Sequence, residues 1–124
     1  MSGIAVGLST LFFVCGQVRN FIDLKKTDRI AAISGLSPAV GATIAYTTRR
    51  EQGHERDLKS EQHLHALWFE ASAKVSQYNK ELAMVCKEKS RYWLEYDKYD
   101  DSMVISLGIE LKKLEAELER LKHL

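Results

Sequence analysis

A chain of 124 residues with 18 basic and 17 acidic side chains carries a formal charge of +1, too little to steer it to nucleic acid or to a strongly acidic partner. One proline, and a scarcity of glycine beyond Gly53, exclude an all-β fold rich in tight turns and point to long helices. The two cysteines, Cys15 and Cys86, fit no metal or redox spacing, so a reduced and inert pair is expected.

The averages conceal a division. No charge occurs up to Val18, whereas charges of both signs recur from Arg49 onward. The first apolar segment, GIAVGLSTLFFVCGQV, runs from Gly3 to Val18, and Gly3 and Gly7 form a GxxxG pair of the kind that brings helices close. It lacks the basic leader of a secretory signal and the arginines of a transit peptide, so it reads as part of the mature protein. Extended to Ile22, it is long enough for a tilted membrane span.

A charged stretch, RNFIDLKKTDR, separates it from Ile30–Thr48, 19 residues without a charge. Thr27 and Asp28 are the expected N-cap of this second helix. Twelve of its residues are Ala, Gly, Ser or Thr, and Pro38 lies near the middle. Ala31, Gly35, Ala39, Thr43 and Thr47 recur every fourth position, and Ser37, Gly41 and Ala45 make a second such row. Such rows suit a membrane helix that packs against protein rather than lipid. Residues 1–50 therefore read as a membrane hairpin with spans at about 3–22 and 30–48. Four basic residues flank the second span on each side, so the positive-inside rule does not choose an orientation.

Residues 51–124 read as an extramembrane arm. Trp68, Ala71, Val75, Tyr78, Leu82, Val85, Lys89, Tyr92, Tyr96 and Tyr99 follow a 4-3 alternation, which predicts one amphipathic helix of about 45 residues with Lys89 as its single polar core position. Trp93 lies off that seam and implies a second packing face. After Tyr99-Asp100-Asp101-Ser102, the seam Leu107, Leu111, Leu114, Leu118, Leu121 predicts a last helix, folded back on residues 75–99 as an antiparallel pair. A stutter in one continuous helix is the alternative.

No phosphate loop, nucleophile elbow, CxxC or carboxylate pair in an apolar setting is present. His54, His63 and His65 lack the repeated Glu-x-x-His pattern of a di-iron bundle. The fold class expected is thus all-α, with neither cofactor nor metal and no small-molecule substrate. The expected role is that of a non-catalytic accessory subunit in a membrane complex, whose partners are other membrane subunits and the bilayer. By analogy of size and architecture, the setting is an energy-transducing complex of the mitochondrial inner membrane, such as the respiratory chain or the ATP synthase. A self-oligomerising membrane tether and a small pore former are the alternatives.

Overall fold

The computed structural model describes residues 20–93 and 101–124, apart from the side chains of Tyr92, residues 101–108 and Glu110. The described residues are all-helical: a 3-10 turn (Asn20–Asp23), α1 (Lys26–Glu51), α2 (Leu58–Val75), α3 (Lys80–Tyr92) and α4 (Asp101–Lys122). The first apolar segment, with Gly3 and Gly7, lies outside them, as does Tyr96.

Helix α1 is the centre. It is flanked by α2 and α4, and α3 packs on α2. It starts at Lys26, ahead of the expected Thr27–Asp28 cap, and Lys25 makes no capping bond; Asp28 instead sits in the first turn, where its charge meets the helix dipole. Pro38 does not end the helix. Proline leaves the carbonyl of Ser34 without its helical partner, and Ser34 and Pro38 both lie on the exposed side. The C-terminus is a Schellman closure. Gly53 takes φ +93°, its N–H bonds to the Arg50 carbonyl at 3.1 Å, and the His54 N–H reaches Arg49 at 3.1 Å. The chain then reverses, and Asp57 caps α2 by accepting from the Lys59 N–H at 3.1 Å.

The single 45-residue helix expected from the 4-3 seam is broken. Ser76–Asn79 forms a turn, and the Asn79 side chain caps α3 by accepting from the Leu82 N–H at 3.0 Å. Helices α2 and α3 are therefore an antiparallel hairpin, as the Ser72 hydroxyl bond to the Ala83 carbonyl (2.7 Å) and the His65–Ser90 contacts show. The last helix differs as well. Leu111, Leu114, Leu118 and Leu121 are buried, as their seam predicts, but among the described residues the main partner of α4 is α1 and not α3; residues 94–99 lie outside the described residues. Arg29, in the first turns of α1, donates to the Leu124 carbonyl at 2.6 Å, so the two helices run antiparallel. Leu107 belongs to α4, with its side chain outside the described set.

The core joins Leu36, Ala39 and Val40 of α1 with Leu64, Trp68, Ala71 and Val75 of α2, Leu82, Val85 and Cys86 of α3, and the α4 leucines. Each fully buried large side chain contributes about 1.5–3 kcal/mol relative to exposure. Gly35 permits a close helix approach, because a Cβ there would stand 2.9 Å from the Lys74 Cβ. Gly35→Val is therefore expected to destabilise by about 1–3 kcal/mol through overpacking. Gly41→Ala, with open space around its Cβ, should stabilise by about 0.5–1 kcal/mol through helix propensity. Opposite shifts in urea midpoint on the same helix are the measurement.

Lys89 holds the seam position it was expected to hold and is buried. Desolvation pulls its ammonium down to about 8 from 10.5, against a smaller opposing effect of Cys86, whose thiol burial pushes up to about 12. The folded state thus binds the Lys89 proton more weakly than the unfolded chain. The penalty is complete below about 8 and disappears as pH rises toward 10.5, so stability increases across that window. Lys89→Met should stabilise by on the order of 2 kcal/mol near neutral pH, and the gain should shrink on approach to the alkaline end. Urea melts at a series of pH values test this.

Candidate functional site

Two features stand out on α1: a face left bare, and a polar seam behind it. The two rows of small residues have separate fates. Gly35, Ala39, Thr43 and Thr47 are buried against neighbouring helices, whereas Ala31 is exposed. The second row is left out of the core, with Ser37 and Ala45 exposed and Gly41 half-buried. Together with Ile30, Ser34 and Pro38 they form a continuous uncharged face about four turns long. It is bordered by the groove between α1 and α4, where Ile33, Ser37 and Val40 face Lys112, Glu115 and Glu119. On the other border, Ala31, Ser34 and Gly35 face Lys74 and Tyr78 of the α2–α3 hairpin.

Behind that face the polar groups are paired. The Tyr46 hydroxyl donates to Glu61 Oε2 and accepts from the Asp57 N–H at 3.3 Å. Arg56 grips the same carboxylate in a fork, Nη2 to Oε1 at 2.9 Å and Nε to Oε2 at 3.2 Å. Glu61 is only 1% exposed, so this pairing is what permits its burial. Trp93 meets Tyr46 edge to face, with centroids 5.9 Å apart and planes at 84°, and thereby closes the end of α3 onto α1. One helical turn deeper, Trp68 Nε1 donates to the Thr43 hydroxyl at 2.9 Å, and Thr43 donates to the Ala39 carbonyl at 2.7 Å.

Ser90 and His65 also meet, with Oγ and Nδ1 2.7 Å apart. Their residue types suit a nucleophile and its base. Yet Ser90 is 1% exposed and its hydroxyl donates to the His65 carbonyl at 3.0 Å, an arrangement that ties α3 to α2. His54, His63 and His65 do not converge: among the described residues no three His, Cys, Asp or Glu side chains could hold a metal ion.

Of the residues expected to pack against partner helices, Gly35, Ala39, Thr43, Trp68, Val75, Leu82, Val85, Trp93, Leu111, Leu114, Leu118 and Leu121 are buried within the chain's own fold. Tyr78 is half-buried against the core, and the Tyr92 side chain lies outside the described set. Glu61, Arg56 and Tyr46 were not anticipated. Glu61 nevertheless continues the stripe Leu64, Trp68, Ala71, Val75 at the same 3-4 spacing, a signal that could have found it.

Among the described residues, α1 is the one helix long and apolar enough to cross a membrane, and half of its most apolar stretch is buried by the chain's own helices. No known protein family, curated protein or solved structure matches this chain.

Proposed function

We propose that the chain is a non-catalytic accessory subunit of a multi-subunit membrane complex, in which it serves assembly and bracing. The observation that supports this reading is the bare face of α1. It is uncharged from Ile30 to Ala45, small enough in relief for another helix to approach closely, and carried on a helix of spanning length. Exposed charges line both borders of that face, Lys74 on one side and Lys112, Glu115 and Glu119 on the other. Such charges are costly against lipid, so α1 suits a site among protein subunits better than a lipid-surrounded one. An energy-transducing complex of the mitochondrial inner membrane is the setting we put forward, by analogy of size and architecture alone.

A second reading has its own support. Half of the apolar stretch of α1 is buried by helices with charged outer faces, as in the core helix of a water-soluble bundle. Carbonate extraction, followed by native purification through a C-terminal tag, separates the two. The accessory-subunit reading expects the chain in the membrane pellet and co-migrating with integral membrane proteins. Release into the soluble fraction would establish the bundle, and a pure homo-oligomer in mild detergent would establish a tether.

A further inference from the structure

At the C-terminal end of α1 a cavity of about 350 Å³ opens between α1 and α2. Ala42, Ala45 and Leu64 form its apolar side, and Arg49, Lys59 and His63 form its polar rim. Two of these groups are permanent cations at neutral pH, and each is exposed on its own helix. Arg49 is positioned as well as charged, because its guanidinium carbon lies 5.7 Å from the centroid of the Tyr46 ring. The nearby carboxylate, Asp57, caps the α2 N-terminus: it accepts from the Lys59 N–H at 3.1 Å and from the Ser60 hydroxyl at 2.8 Å, and the Ser60 bond, with a smaller Coulombic pull from Arg49, holds it below the usual carboxylate range. Glu61 is committed to Arg56 and Tyr46.

We propose that this cavity binds the phosphate of an anionic phospholipid, whose acyl chain leaves past Ala45 along the bare face of α1. The inference rests on the reading that the chain works at a membrane. An arginine and a lysine lining one cavity match a phosphodiester anion, which offers several acceptor oxygens. The placement matches too. The cavity lies where the uncharged stretch ends and Arg49 begins, the depth at which lipid headgroups meet a span. Ala45 belongs both to the cavity and to the bare face, so polar and apolar parts of one amphiphile are served by contiguous surface.

The test is flotation of the full chain with phosphatidylcholine vesicles, with and without phosphatidylglycerol. The double variant Arg49→Gln, Lys59→Gln should lose about thirty-fold in binding to the phosphatidylglycerol vesicles, as two cations each contributing about 1 kcal/mol would. The charge-retaining pair Arg49→Lys, Lys59→Arg should keep most of it. A charge-matched control, Lys87→Gln with Lys113→Gln, should lose far less, and inorganic phosphate at constant ionic strength should not compete.

Equal losses in the two glutamine pairs would overturn the site in favour of diffuse attraction. Competition by inorganic phosphate would overturn the lipid as its source. Equal binding to vesicles with and without phosphatidylglycerol would remove the headgroup site and leave the membrane reading intact. Binding to neither kind of vesicle would remove both.

Discussion

Replacing Glu61 with alanine is expected to lower the unfolding free energy by about 3–5 kcal/mol, the loss typical when one partner of a buried ion pair is removed. The carboxylate accepts the Tyr46 hydroxyl and both arms of Arg56 while almost wholly buried. Its removal leaves the Tyr46 hydroxyl, deep in the α1–α2 contact, without its acceptor, and frees a guanidinium that is only 30% exposed. Marginal domains have about 5–15 kcal/mol in all, so the loss is a large part of the total. Tyr46→Phe should cost less, about 1–2 kcal/mol, because it deletes one hydrogen bond and leaves the Arg56–Glu61 pair whole. The double variant should cost less than the sum, with a coupling of about 0.5–3 kcal/mol. Glu70→Ala provides the scale. Glu70 and Lys74 form an exposed pair at 3.3 Å and an i,i+4 spacing, for which about 0.3–0.5 kcal/mol is expected. Urea unfolding decides the matter: if Glu61→Ala costs no more than Glu70→Ala, the buried seam does not hold α2 to α1.

The contrast between these two carboxylates also shows where sequence reasoning succeeds. Periodicity identifies a face, and so the leucines of α4 and the 4-3 stripe of α2 were legible as buried surfaces. It does not identify the partner of that face. The seam of α4 meets α1, and nothing local to Leu111–Leu121 distinguishes α1 from α3 as its complement. The break at Ser76–Asn79 was hidden for a related reason. Val75, Tyr78 and Leu82 keep the helical 3-4 spacing straight through the turn, and only the capping side chain of Asn79 marks it locally. The stripe position of Glu61 is outweighed in sequence by its charge, because a carboxylate is ordinarily outside. Its burial depends on Arg56, from the loop before α2, and on Tyr46, from another helix. The two small-residue rows of α1 look alike in sequence, yet one is core and the other is open, because the choice belongs to the helices that arrive on either side.

That open row yields the other large effect expected of a single substitution. Ser34 lies on the bare face one turn in from Ile30, exposed and outside the core. Ser34→Lys should therefore change the urea stability of the isolated chain by no more than about 0.5 kcal/mol. If α1 works inside a bilayer, the same lysine brings a charge within the span, a cost of up to about 2.5–3.5 kcal/mol on translocon insertion scales. Membrane association should then fall by as much as roughly a hundredfold, since each 1.4 kcal/mol is a factor of ten. The effect follows from position rather than from charge alone. Lys113→Glu, on α4 outside the α1–α4 groove, exchanges one exposed charge for another and should leave association near the native level. Pro38 strengthens the asymmetry. The Ser34 carbonyl it leaves without a helical partner opens on the same side, so this face already needs water or a polar neighbour at one point. A docked helix bearing a hydroxyl or amide donor would satisfy that carbonyl, whereas lipid would not. Pro38→Ala restores the donor, and it should strengthen insertion if the face meets lipid but leave it unchanged if a partner helix already supplies the bond. A Ser34→Lys variant that partitions with membranes as the native chain does would sink the docking role of this face, and with it the accessory-subunit reading.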